Sequence, residues 1–401
     1  MHDKKWLLKR HGLWLLVILI IISGLFWKNW SKKNAEDSVN IEEKENEKGY
    51  DLPVDETERR EAEQEMKTIV ETVQEIYRES FQGNAIETID KMVDELGQTS
   101  IPVVYNDGYS EMYHYQMIDA FLTNSQQGKE GEAVLYEVHN DGGIGRKKFV
   151  YDGQDMYIIY NGISWDENAD PISSEATYTR IKEWKYTDKG WFCYDTCVPE
   201  PPEVTEIVDG SNMLRIIPMK DEYREISRNY LLPLGYQGNN LLCLNWDAEH
   251  LEELDYNGIY EYLYKIKYQE GFAHVDDQDG IPKEEFESLI MEYLPVTAEQ
   301  LKNYAVFDET TQMYGWNLLG CGNYAPSQFG TSIPEVTDIR ENEDGSITLT
   351  VDAVCEALCD EAVITHELMI FIAGEDRFIF LGNAILNNGL QDIPEYQYRL
   401  R

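Results

Sequence analysis

The chain predicts an α+β fold: one N-terminal transmembrane helix, then helices packed on antiparallel β-sheets, in two such units. Three observations carry this. Apolar residues recur at helical spacing in 66–81 and 86–96, and again in 286–304. Each helical stretch is followed by aromatic and β-branched runs, punctuated by turn residues such as Asp152-Gly153 and Asp344-Gly345. Helices that precede a meander, twice, imply helices laid on one face of an antiparallel sheet rather than alternating βαβ units.

Taken in order, residues 13–27 (LWLLVILIIISGLFW) form an uncharged run behind a leader containing Lys4, Lys5, Lys9 and Arg10. At about 1.5 Å per residue such a run covers roughly 22 Å, short of a bilayer core about 30 Å thick. His11, Gly12, Asn29 and Trp30 can lengthen it while Arg10 and Lys28 reach toward the headgroups. Trp14, Trp27 and Trp30 suit the interfacial zones. A cleaved signal peptide shares the basic leader and apolar core. However, no small-x-small site follows the run, and the first cysteine that could accept a lipid is Cys193. The expectation is therefore an uncleaved single-pass anchor. Four basic residues precede the run and three (Lys28, Lys32, Lys33) follow it, a narrow bias toward a cytoplasmic N-terminus.

Composition then bounds the remainder. The chain holds 34 basic and 75 acidic residues, a net charge of −41. Seven of the basic residues and one acid lie in 1–33, leaving 27 against 74 beyond it. Such a surface repels phosphate backbones and anionic headgroups, which excludes nucleic acid as a natural partner. Twenty-seven tyrosines, twelve phenylalanines and nine tryptophans supply ample surface to bury. Six cysteines would permit three disulfides outside the cell.

The expected organisation is a leader and anchor over 1–33, an acidic flexible linker over 34–54, an α+β domain over 55–220, a mixed connection over 221–280, and a second α+β domain over 281–401. In the first domain Asp55 caps a helix carrying Met66, Ile69, Val70, Val73 and Tyr77 on one face. A second helix holds Ile86, Ile89, Met92, Val93 and Leu96 on one face and stops at Gly97, and a short helix is expected over 116–123. Strands are expected at 132–139, 147–151, 156–160, 178–186 and 191–194, with pieces near 204–208 and 213–218. Turns are expected at Asp141-Gly142-Gly143, Asp152-Gly153, Asn161-Gly162, Asp188-Lys189-Gly190 and Asp209-Gly210. In the connection, 223–230 reads as helical, and 260–268 fits helix or strand. The second domain opens with a helix from Pro282 through Tyr293 and a capping box at Thr297 and Gln300. Four strands follow, at 335–340, 347–356, 362–372 and 377–381.

Candidate sites weigh little against structural readings. Cys193/Cys197 and Cys355/Cys359 have a spacing that zinc sites allow. Residues four apart on a straight strand are about 13 Å apart, too far for one metal or one disulfide. Cys355 shares a face with Leu349, Val351 and Ala353 and reads as a core thiol. Cys321, His366 and Asn383 follow the order of a papain-like triad. The residues after Cys321 cannot open the helix such a nucleophile needs, and His366 alternates with Ile364, Leu368 and Ile370 as a core residue would. Asp277-x-Asp279-Gly280 resembles part of a calcium loop, but Val275 and Phe286 stand where ligands belong. The Trp184–Phe192 hairpin resembles wall-binding aromatic hairpins, although one copy points to cross-strand packing.

The segments LPLGYQGNN (232–240), GIPKEEFESLIMEYLPVTAEQLK (280–302), LGCGNYAP (319–326) and VTDIRENEDGSITLTVDAVCEALCDEAVITHEL (336–368) together resemble an uncharacterised family of membrane-anchored proteins from Gram-positive (Firmicutes) bacteria. The resemblance implies an extracytoplasmic domain of unknown function and carries no catalytic, cofactor or metal residues. The expected function is a non-enzymatic binding or interaction module at the cell envelope, tethered to the membrane by its N-terminal helix and contacting envelope proteins or an extracellular ligand. Two alternatives stand beside it: an envelope cysteine hydrolase using Cys321 and His366, and an accessory subunit of an envelope assembly or transport complex.

Overall fold

The computed structural model describes residues 48–80, 85–105, 108–109, 111–273, 280–320, 325–374 and 377–400. The expected leader and anchor, residues 34–47 of the linker, Asp277 and Asp279 of the calcium-like loop, and Cys321 lie outside the described residues. Among the described residues no helix is long and apolar enough to cross a membrane. The described fold is α+β, with mainly antiparallel sheets.

The first unit begins with α1 (Glu56–Ser80) and α2 (Ala85–Gly97). Asp55 Oδ1 accepts the Thr57 amide at 2.7 Å and so caps α1. β1 (Val103–Tyr105) and α3 (Gln116–Gln126) follow, then a meander of β2 (Gly131–Val138), β3 (Ile144–Tyr151), β4 (Met156–Trp165), β5 (Pro171–Ser173), β6 (Thr177–Tyr186), β7 (Trp191–Thr196) and β8 (Ser211–Arg215). These strands make an eight-stranded sheet in the order β1-β2-β3-β4-β6-β7-β8, with β5 also paired to β4.

Four expectations fail here. Helices cover both faces of this sheet. Met66, Val73 and Met92 of α1 and α2 pack on Tyr136, Val138 and Ile144, whereas Ile118, Phe121 and Leu122 of α3 pack on Leu135, Phe149 and Met156. Successive residues of a strand point to opposite faces, and both sets are apolar here. Second, β1 runs parallel to β2, a three-residue strand too short to leave a period-2 signal. Third, Asn161-Gly162 is no turn. It lies inside β4, where Asn161 pairs with Arg146 and Gly162 with Gly145. The expected strand piece at 204–208 is likewise turn and coil.

The second unit starts with α4 (Asp221–Ile226), which runs on into a π-helical turn over Ser227–Leu231. Next come β9 (Trp246–Asp247), α5 (Tyr256–Tyr268), β10 (Ile281–Pro282), α6 (Lys283–Tyr293), α7 (Ala298–Tyr304), β11 (Phe307–Asp308) and β12 (Met313–Tyr314). The undecided stretch 260–268 is therefore helical, started by Asp255, whose carboxylate accepts the Gly258 amide at 3.0 Å. The capping box of α7 forms as expected, with Thr297 and Gln300 bonded reciprocally. Pro282 is the N-cap of α6 rather than its first helical residue.

β13 (Ile333–Glu341), β14 (Ile347–Val354), β15 (Thr365–Gly374) and β16 (Arg377–Ile385) form an antiparallel sheet that β9 completes. Leu349, Val351, Leu368, Ile370 and Phe380 of this sheet share one core with Leu241, Leu263, Phe286 and Leu301. Residues 231–266, read from sequence as connection, thus contribute directly to it.

The two units meet along β7–β8 and β13–β14. Trp191, Cys193 and Met213 pack on Val354. Around that apolar contact, Lys189 pairs with Asp352 at 2.6 Å, and Tyr109 donates to the Pro334 carbonyl.

Candidate functional site

On the α3-facing side of the first sheet, Ile118, Phe121 and Leu122 of α3 pack near Leu135, Phe149 and Met156, and Glu137, Gly145, Lys147 and Gly162 beyond them are also buried. Glu137, Tyr160 and Gly162 line an open cleft of about 710 Å³ there, and on β3 between them Gly145 pairs with Glu137 and Gly162, and Lys147 with Tyr160. That volume falls within the ~300–1,000 Å³ range of small-molecule sites.

Glycine placement shapes the floor. A Cβ added at Gly145 would lie 2.9 Å from Tyr160 Cε2 and 3.1 Å from His139 Nε2. One added at Gly162 would lie 2.9 Å from the Tyr160 hydroxyl oxygen. Two glycines opposite each other on adjacent strands therefore let the Tyr160 phenol approach the backbone closely and let His139 fold in beside it. This close approach is the reason for a glycine in mid-strand, and it explains why Asn161-Gly162 mimics a turn signal.

On the strand next to Tyr160, Lys147 Nζ sits 2.6 Å from Glu137 Oε2, with the side chains only 11 % and 6 % exposed. Burial disfavours the ammonium, but the Tyr194 and Glu137 groups around it outweigh that and raise its pKa. Burial likewise raises the Tyr160 phenol. The rim is set by the β2–β3 hairpin. Asp141 Oδ1 accepts the Gly143 amide at 2.9 Å, and Asn140 Oδ1 accepts the Tyr105 hydroxyl at 2.6 Å.

The opposite face has a different role. Arg146, 1 % exposed, bonds Glu65 at 2.6 Å and Glu58 at 3.3 Å, while Lys148 reaches Glu58 at 2.6 Å. These pairs pin α1 to the sheet. The run Arg146-Lys147-Lys148 in a buried strand was the visible signal for both sites, since buried cations require partners.

Of the residues singled out in sequence, His366 and Asn383 come together. His366 is fully buried on β15, its Nδ1 2.6 Å from Asn383 Oδ1 on β16, and its Nε2 2.9 Å from the Tyr236 hydroxyl. Asn383 Oδ1 can only accept, so Nδ1 carries the proton and Nε2 accepts from Tyr236. Asn383 Nδ2 in turn donates to the Leu244 carbonyl at 2.8 Å. Burial lowers the His366 pKa to about 4. A cavity of about 200 Å³ opens beside Tyr236, bordered also by Cys243 and Phe329.

The five cysteines within the described residues are free thiols, and no cluster of potential metal ligands occurs among the described residues. Cys355 is fully buried, its thiol directed at the Gln328 carbonyl at 3.2 Å. In the Trp184 hairpin the indole packs edge-on against Phe192 and Tyr151.

Residues 59–399 match a family of unknown function, DUF6070. The chain belongs to that family. The matched span runs from α1 to the C-terminal tail and so includes both units and the cleft. No curated protein and no solved structure matches the chain. In this chain, the open cleft over β2–β4 and the buried Tyr236–His366–Asn383 chain are two places among the described residues where polar side chains gather.

Proposed function

We propose that the chain is a single-pass, membrane-anchored extracytoplasmic protein of a Gram-positive bacterium. Residues 1–33 are its leader and anchor, its N-terminus is cytoplasmic, and its folded part is a non-enzymatic binding module. The observation that carries the binding reading is the cleft over Gly145 and Gly162. Its aromatic surface and buried ion pair are held in place before any ligand arrives, and preorganisation of that kind favours affinity. The charge-free run 13–27 behind a basic leader supports the anchor.

The hydrolase alternative is the weaker reading because both His366 nitrogens are occupied inside the core, where a general base would have to reach substrate. Protease treatment of intact protoplasts, combined with N-terminal sequencing, tests the topology. Digestion of 48–400 from outside with residue 1 retained is the expected result. Protection of the folded part would overturn the extracytoplasmic placement.

A further inference from the structure

We infer that the cleft over β2–β4 takes an uncharged saccharide, one ring stacked on Tyr160 and its hydroxyls held by Asn140 and Asp141; this rests on the binding reading above. Four features converge on that class.

Gly145 and Gly162 let the Tyr160 phenol lie close against the backbone. It stays half-buried and lines the cleft, so it offers a flat apolar surface of the kind the C–H face of a sugar ring covers. The polar groups at the cleft's exposed rim are acceptors, the Asp141 carboxylate and the Asn140 amide oxygen, each with lone pairs beyond the one bond it already accepts from Gly143 or Tyr105. Acceptors of that kind match hydroxyl donors, and charged acceptors make the stronger bonds. Among the described residues no lysine or arginine lines the cleft, and Lys147, opposite Tyr160 on β3, is already paired with Glu137 at 2.6 Å, which disfavours a phosphate or carboxylate ligand. A net charge of −41 further disfavours anionic ligands. Finally, the cleft of about 710 Å³ is open at its rim, which suits a piece of a chain better than an enclosed small molecule.

The test is calorimetric titration of the full chain in detergent with three probes: an uncharged N-acetylglucosamine tetramer, a glucose tetramer and spermine. Two variants accompany it, Tyr160→Ala and Gly145→Ala; the second introduces a Cβ where Tyr160 and His139 now lie and leaves the Lys147–Glu137 pair in place. Binding of at least one tetrasaccharide, weakened about tenfold or more by each variant, is the expected result. Should Tyr160→Ala fail to fold, Gly145→Ala alone decides. Saccharide binding that neither variant alters would overturn the site. Spermine binding that depends on Tyr160, without saccharide binding, would overturn the ligand class and leave the binding reading standing. If none of the probes binds, both the ligand class and the cleft as a binding site fall.

Discussion

Arg215 of β8 and Glu335 of β13 meet across the junction of the two units at 2.6 Å, and the Glu335 side chain is 2 % exposed. The guanidinium also lies over the Trp191 ring, 5.1 Å from its centroid. Burial raises the Glu335 pKa, and Arg215 is the first charge that opposes the rise. Each unit thus supplies half of a desolvated pair. Removing one partner from such a pair leaves a buried charge uncompensated, which costs about 3–5 kcal/mol.

Arg215→Met should therefore lower the urea midpoint by an amount corresponding to that cost. Adding Glu335→Gln should restore part of it, since the orphaned charge is then gone. Equilibrium unfolding followed by tryptophan fluorescence measures both. A midpoint for Arg215→Met indistinguishable from the parent would show that the pair contributes nothing to the junction.

The buried histidine makes stability depend on pH in a defined direction. In the folded chain His366 titrates near pH 4, below its ordinary value of 6.5. Between those values the unfolded chain binds a proton that the folded chain excludes. The His366 contribution is therefore complete above about pH 6.5 and is lost as pH falls toward 4, by roughly 3 kcal/mol in all. His366→Gln should destabilise most at pH 7.5, and the gap from the parent should narrow by about that amount at pH 4.5. A gap independent of pH would mean that His366 is not held neutral.

Tyr236→Phe probes the same chain from its other end. It removes the hydroxyl that donates to His366 Nε2 at 2.9 Å and leaves a buried acceptor unpaired, at a cost of about 1–3 kcal/mol. The melting temperature should fall accordingly. In a double variant with His366→Gln the two losses should sum to less than their separate values, because they break one network. Full additivity would contradict the shared network.

How much of this was legible in the sequence follows from which signals are local. The α1 face, the α7 capping box and the four long strands of the second sheet were readable because period and cap chemistry sit within a few neighbouring residues. β1, β5 and β9–β12 were not, since strands of two or three residues are defined by their partners. Asn161-Gly162 misled because glycine signals close approach as well as turns, and only the position of Tyr160 distinguishes the two. His366 was placed in the core by alternation alone. The cleft escaped because Glu137, Lys147 and Tyr160 sit on three different strands, which only the pairing of β2, β3 and β4 brings together.

Thiol chemistry gives the remaining prediction. Burial pushes the Cys193 and Cys243 pKa values up to about 12, so at pH 8 almost none of either thiol is ionised and alkylation should be slow in the folded chain. Cys197 differs in setting. It is half-buried at an open cleft with the Arg180 guanidinium against its sulfur. Peptide-resolved mass spectrometry after timed iodoacetamide treatment should find Cys197 modified well before Cys193 and Cys243, and all of them modified quickly in urea. The same measurement bears on Cys321. A hydrolase nucleophile would carry an activated thiolate and label ahead of Cys197, whereas the binding-module reading expects Cys321 not to outpace it. Rapid, stoichiometric modification of Cys321 in the folded chain would reverse the preference between the two readings.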